Sequence, residues 1–100
     1  MSAGAKPLAS RSAIARAREL WCRGEVFISP HALERMRERC VTAVELEHVI
    51  LRSGRIVESS HPGRAWRYVI EGRTTEARDI RCVVELEERL VVVTVVAMRS

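Results

Sequence analysis

The stretch SPHALERMRERCVTAVE, residues 29–45, contains two helix starts separated by a corner. Ser29 and Pro30 are typical of the first start, because a serine side chain caps the first turn and proline fits the first helical position. The second start is a capping box, in which Thr42 is followed three residues later by Glu45. The stretch therefore predicts two short helices joined by a tight corner.

We place the first of these helices over 31–39 and the second from Ala43 onward. Upstream, Ser12 is suited to cap another helix, because the apolar residues that follow it recur at helical spacing. We predict that this basic helix covers 13–23 and that residues 1–12 form a disordered leader.

The second half of the chain changes from helical to strand periodicity. Polar and apolar residues alternate from Trp66 to Glu71 and again from Ile80 to Leu86. The valine-rich run from Leu90 to Ala97 favours a strand covered on both faces. We predict an α+β fold, with two to three N-terminal helices packed on one face of a roughly four-stranded antiparallel sheet. Residues 13–100 then form a single domain.

Composition excludes several classes of protein. The chain has 100 residues, of which 47% are hydrophobic and 30% are charged, so it is not intrinsically disordered. Its longest apolar run is far shorter than the roughly 20 residues of a membrane helix, and no apolar segment follows Lys6 as a secretory signal requires. We expect a cytoplasmic protein without a membrane association. The three widely spaced cysteines indicate neither a disulfide framework nor a metal site, and we expect no cofactor.

The net charge of +4 is confined to the first 24 residues. From Glu25 onward, twelve arginines balance twelve acidic residues. The basic segment could steer the protein toward a polyanion or an acidic partner protein. The rest of the chain is not the uniformly positive surface of a general nucleic-acid binder.

The sharpest candidate site is His31, Arg35 and Arg39, which are spaced four and four residues apart. At 3.6 residues per turn the three side chains form a stripe along one side of their helix. An imidazole can exchange a proton near pH 7, and arginines can hold phosphate oxygens. The alternative is structural, with both arginines in ion pairs to Glu34, Glu38 or acids on the sheet.

A second candidate site lies on the sheet. Arg67, Arg81 and Arg73 fall at positions where neighbouring strands would bring them to one face among small apolar residues, as in an RNA-binding surface. The loop residue His61 could supply a second imidazole near the edge of the sheet. The alternatives are that the arginines are simply the solvent side of a one-sided sheet, and that His61 is only solvated.

The run from Ile28 to Thr42 resembles the pattern H-A-x-x-R-M-x-x-R-G-[IV]-[ST] of the family known as domain of unknown function 4258. The resemblance extends over about 27–97. It implies a compact α+β domain similar to bacterial ribonuclease toxins of the RelE, MqsR and BrnT kind, with a small antitoxin-like protein as partner. Cys40 stands where the pattern has glycine. The pattern falls on His31, Ala32, Arg35, Met36 and Arg39.

Together these features suggest a toxin-like, metal-independent endoribonuclease or RNA-binding domain. In this hypothesis His31 is a general acid or base, and the two arginines of the stripe hold the scissile phosphate. The site lies between the second helix and the exposed sheet face, where Arg67 and Arg81 bind the flanking backbone. The alternative is a non-enzymatic protein-interaction module, and a homodimer is left open. A DNA-binding regulator is less favoured, because no basic recognition helix with base-reading residues is present.

Overall fold

In the computed structural model, which describes residues 7–98, three helices and five strands form an α+β domain. A π-helical turn continues the third helix. In chain order the elements are α1 (Ser10–Cys22), β1 (Val26–Ile28), α2 (Pro30–Arg39), α3 (Ala43–His48), the π-helical turn (Val49–Ser53), β2 (Arg55–Ser60), β3 (Arg67–Arg73), β4 (Asp79–Leu86) and β5 (Leu90–Ala97).

Two of the three caps expected from the sequence form, those at Ser29 and Thr42. The Ser29 hydroxyl accepts a hydrogen bond from the Ala32 N–H at 3.0 Å, which starts α2. The Thr42 hydroxyl accepts from the Glu45 N–H, and the Glu45 carboxylate accepts from the Thr42 N–H, each at 3.1 Å. This capping box starts α3 at Ala43, as predicted.

The sheet has five strands in the order β1-β5-β4-β3-β2 and is mixed. The four long strands pair antiparallel, as expected, but β1 pairs parallel to β5 through Phe27 opposite Val91. The predicted α+β fold is therefore confirmed, and the roughly four antiparallel strands expected are joined by a fifth, parallel strand at one edge. With only three residues, β1 is too short to show a strand period, and its partner strand is distant in the sequence.

The three helices pack on one face of the sheet. Their buried side chains, with the inward residues of β3, β4 and β5, form one hydrophobic cluster. The opposite face, called the outer face here, carries the alternate residues, among them Arg67 and Val69 of β3 and Arg81 and Val83 of β4. Because no described helix covers the outer face, the prediction that β5 is covered on both sides was wrong, and Val96 is 42% exposed.

The helix α1 begins at Ser10, three residues before the predicted start. Its N-cap is Ala9, which makes no side-chain hydrogen bond, so the expected cap at Ser12 does not form. Just before the helix, the Leu8 N–H donates to the Tyr68 hydroxyl at 2.9 Å. The rest of the predicted leader, residues 1–6, lies outside the described part of the chain.

The three cysteines are free thiols. Cys82 is fully buried, and this burial raises the pKa of its thiol to about 12. Cys22 and Cys40 are exposed, so Cys82 is the one cysteine that packs in the core. Within residues 7–98, no helix is long and apolar enough to cross a membrane.

Candidate functional site

The three side chains His31, Arg35 and Arg39, called the α2 stripe here, lie along one flank of α2. The helix buries Ala32 and Met36 against the sheet, so the neighbouring stripe is turned toward solvent. His31 and Arg39 are exposed and Arg35 is half-buried. At a rise of 1.5 Å per residue the stripe is about 12 Å long.

The members of the α2 stripe differ in their partners. Arg35 Nη1 lies 3.0 Å from Glu38 Oε1, while Arg35 Nε is buried without a hydrogen-bond partner in the described residues. The side chains of His31 and Arg39 make no hydrogen bond or ion pair within residues 7–98. The ion-pair alternative therefore applies to Arg35, whereas His31 and Arg39 are available to an anion.

The corner after α2 sets the position of Arg39. Cys40 has φ 57° and ψ 42°, the left-handed conformation that ends many helices. The Arg78 guanidinium donates to two carbonyl oxygens at this corner, Arg39 O at 2.8 Å and Cys40 O at 2.6 Å. The corner therefore forms with a cysteine in the glycine-like position.

A buried carboxylate completes this arrangement. Arg78 Nη2 lies 3.3 Å from Glu45 Oε1, and the Glu45 side chain is only 7% exposed. The hydroxyl of Thr74 accepts from the N–H groups of Glu76 and Arg78, which positions the turn that carries Arg78. Sequence reasoning identified Glu45 as part of a capping box but missed Arg78, because no local pattern indicates a partner more than thirty residues away.

The predicted RNA-binding arginines of the sheet are paired with carboxylates. Arg67 Nε lies 3.0 Å from Glu85 Oε2, and Arg81 Nε lies 3.1 Å from Glu71 Oε1. Both pairs cross between β3 and β4 on the outer face. A phosphate group would have to compete with these carboxylates.

Arg73 is also paired, with its Nε 3.1 Å from Asp79 Oδ1. The hydrogen bonds that Arg73 donates to Asp79, and then the charge of that carboxylate, raise the pKa of Arg73. His61 lies in the loop after β2, where its ring centroid is 5.0 Å from that of Trp66.

The structure does not bring the two candidate imidazoles together. His31 follows β1 and His61 follows β2, which are the two outermost strands of the sheet. At about 4.8 Å between neighbouring strands, these edges are about 19 Å apart. The α2 stripe also belongs to a helix on the covered side of the sheet, whereas Arg67 and Arg81 project from the outer face. The predicted residues therefore form two separate surfaces.

A cleft of about 300 Å³ lies at the hairpin between β4 and β5. Its lining is mostly acidic and includes none of the predicted site residues, so it is unsuited to a phosphate. The lining residues are Glu85, Glu87, Glu88, Arg89 and Val91.

Among residues 7–98, no three His, Cys, Asp or Glu side chains are grouped to hold a metal ion.

The fold and the site together define a small α+β domain that presents histidine and arginine from its second helix. The model of the family described as "Domain of unknown function (DUF4258)" matches residues 28–97. Because this match covers more than half of the chain, the protein belongs to that family. The match includes the whole α2 stripe and leaves α1 outside it. No curated protein and no solved structure was found to match the chain.

Proposed function

We propose that this domain binds single-stranded RNA through the α2 stripe. The observation that carries the proposal is that His31 and Arg39 are exposed and free of carboxylate partners in the described residues. Arg39 can donate to phosphate oxygens through its guanidinium group, and an imidazole N–H of His31 adds a second donor. Arg35 lies between them on the helix and is paired with Glu38. In the complex with RNA, a phosphate can replace Glu38 as the partner of Arg35.

The same arrangement supports a metal-independent cleavage reaction. A 2′-oxygen would form a bond to the adjacent phosphorus while the bond to the 5′-oxygen breaks. Neutral His31, as general base, takes the proton of the 2′-hydroxyl, a water molecule protonates the departing 5′-oxygen, and Arg39 stabilises the charge on the phosphate. His61 does not supply the acid, because it lies at the other edge of the sheet.

The biological setting we propose is a toxin–antitoxin type of system in the cytoplasm of a bacterium. The support is the similarity in outline to toxins of the RelE kind, which the sequence pattern implies. A domain with helices on one sheet face fits that outline. A small antitoxin-like protein is the expected partner.

Binding is tested by fluorescence anisotropy with a labelled single-stranded RNA. His31→Ala and Arg39→Ala should each weaken binding about tenfold, because each removes a charge-assisted contact. Arg39→Ala should also reduce the slope of log affinity against log salt by about 0.7. The matched control is Arg55→Ala, which removes a 75% exposed arginine at the far edge of the sheet and should leave affinity unchanged. Equal losses in all three variants would refute a site on α2.

Cleavage is tested with the same RNA in the presence of a chelator. Cleavage by the wild-type chain that disappears in His31→Ala assigns the reaction to this imidazole. Cleavage that survives the substitution refutes the catalytic role. Binding without cleavage at any concentration of the protein limits the function to RNA binding.

A non-enzymatic protein-interaction module is the second candidate, and the outer face of the sheet favours it. This face is apolar at its centre and its arginines are already neutralised. Recovery of a stoichiometric protein partner that still binds His31→Ala and Arg39→Ala, together with no RNA binding, would support this candidate over the first.

A further inference from the structure

The outer face of the sheet carries apolar side chains that no helix in residues 7–98 covers, although the Arg89 guanidinium lies over the Phe27 ring at 5.2 Å from its centroid. Phe27 and Val96 are 41% and 42% exposed, and Val69 and Val83 at the centre are only half-buried. The valine-rich sequence of β5 is of the kind found in strands covered on both faces. Exposed apolar side chains grouped on one face of a sheet favour a site for another protein.

The charges around the central valines follow an ordered pattern. On one side of the valines Glu85 of β4 lies beside Arg67 of β3. On the other side the order is reversed, with Arg81 on β4 and Glu71 on β3. The two pairs cancel, so the face has no net attraction for a polyanion. Along β4 the outward residues are Glu85, Val83 and Arg81, and opposite them on β3 are Arg67, Val69 and Glu71.

This reversed order makes the face complementary to itself. A two-fold axis parallel to the line from Val83 to Val69 places each strand over the same strand of the second copy. The pair on one side of the valines in one copy then lies over the pair on the other side in the second copy. Glu85 then faces Arg81 of the second copy. Arg67 likewise faces Glu71 of the second copy, and each central valine meets its own counterpart.

The neighbouring strands extend the same relation. On β5, Val91 lies beside Glu85 and Val96 lies beside Arg81, because of the bulge beside Val83. The axis therefore places Val91 of one copy opposite Val96 of the other, which adds apolar contact. On β2 Glu58 meets its own counterpart, but it lies on the exposed edge strand, where water and salt screen the repulsion. The favourable contacts are thus central and the unfavourable one is peripheral.

We propose that two copies of this chain associate face to face through the outer faces of their sheets, about the two-fold axis along Val83 and Val69. The outer face of the five strands sets the size of the contact. With strands about 4.8 Å apart and about 3.3 Å per residue along each strand, its area is roughly 500 Å² per copy, or about 1,000 Å² in total. This is near the lower limit for a specific interface, so the dimer is weak and reversible. The α2 stripe stays outside the interface, so dimerisation does not depend on the proposed RNA binding.

The proposal is tested by reversing one ion pair inside each chain. The double variant Glu85→Arg, Arg67→Glu keeps a pair between β4 and β3 and leaves the net charge unchanged. In the dimer, however, the introduced arginine faces Arg81 and the introduced glutamate faces Glu71. Sedimentation equilibrium up to about 1 mM protein should show dimer for the wild-type chain and monomer for this variant.

A second double variant makes the test specific. Arg81→Glu, Glu71→Arg should also be monomeric alone, but an equimolar mixture of the two variants should form a dimer, because every facing pair is then of opposite sign. The control is Arg73→Asp, Asp79→Arg, which reverses the last pair between β3 and β4. In the dimer this pair faces positions beyond the ends of the strands in the second copy, so the control should dimerise as the wild-type chain does. Circular dichroism verifies that all variants are folded.

Three results would overturn the proposal. They are a wild-type chain that stays monomeric over the whole concentration range, a first double variant that dimerises as the wild type does, and a mixture that stays monomeric. A monomeric wild-type chain whose outer face binds a different protein would assign the face to that partner instead.

Discussion

At the residue scale, the corner between α2 and α3 depends on Cys40 and Arg78. The left-handed conformation of Cys40 costs about 1–2 kcal/mol for a residue with a Cβ atom. The hydrogen bonds from Arg78 to the carbonyl oxygens of Arg39 and Cys40 offset this cost by satisfying the end of the helix. The position of Arg39 in the α2 stripe is fixed by this corner.

Cys40→Gly should raise the free energy of unfolding by about 0.5–1 kcal/mol. Relief of the left-handed strain exceeds the entropy that glycine adds to the unfolded chain. Urea denaturation measures the change. The control Cys40→Ala keeps the Cβ atom and should stay within about 0.5 kcal/mol of the wild type. A Cys40→Gly variant less stable than the wild type would show that the corner is unstrained.

Arg78→Ala should lower the free energy of unfolding by about 2–4 kcal/mol. It leaves the buried Glu45 carboxylate without its cation and two carbonyl oxygens without donors. Arg73→Ala is the matched control, because it breaks an exposed ion pair and should leave the free energy of unfolding almost unchanged. Similar losses in the two variants, measured by urea denaturation, would contradict the role given to Arg78.

Local chemistry made part of this residue-scale arrangement predictable. The caps at Ser29 and Thr42 act within three residues, so side-chain type and spacing were enough to locate them. The contact of Arg78 with Glu45 joins residues 33 positions apart, and no local pattern specifies it.

At the element scale, α1 is part of the core rather than a free basic arm. It buries Ala17 and Leu20, and the Arg18 side chain donates to Ile50 O at 3.0 Å and Gly54 O at 3.3 Å. Three cations of the N-terminal segment, Arg11, Arg16 and Arg18, are therefore on a helix that contacts the π-helical turn and β2.

Ala17→Asp should destabilise the domain by about 3 kcal/mol or more, because it places a carboxylate at a fully buried position. Ala15→Asp puts the same residue on the exposed side of α1 and should change stability by less than about 0.5 kcal/mol. Thermal and urea unfolding of both variants measures the difference. If the Ala17 and Ala15 variants are equally stable, α1 does not pack on the sheet as described.

Elements with a repeated pattern were predictable and the shortest one was not. The predicted run from Leu90 to Ala97 is β5 itself, and α2 differs by one residue at its start. The three residues of β1 contain no period, and only their contact with β5 makes them a strand. The start of α1 was also displaced, because Ala9 caps the helix without a side-chain signal.

At the scale of the whole molecule, the sheet separates two surfaces. The α2 stripe lies on the side of the helices, and the outer face presents paired charges around a valine centre. Sequence periodicity could place Arg67 and Arg81 on one sheet face, and His31 and Arg39 on one helix side. It could not show on which side of the sheet the helix packs, because that depends on contacts between distant residues. The two groups of residues expected in one groove are therefore apart.

The central claim, that RNA contacts α2, is tested most directly by NMR titration of ¹⁵N-labelled protein with single-stranded RNA. We predict that the signals of residues 31–39 and of the His31 imidazole shift together, while those of Arg67 and Arg81 stay in place. Shifts centred on Arg67 and Arg81, or no shifts at any RNA concentration, would contradict the account.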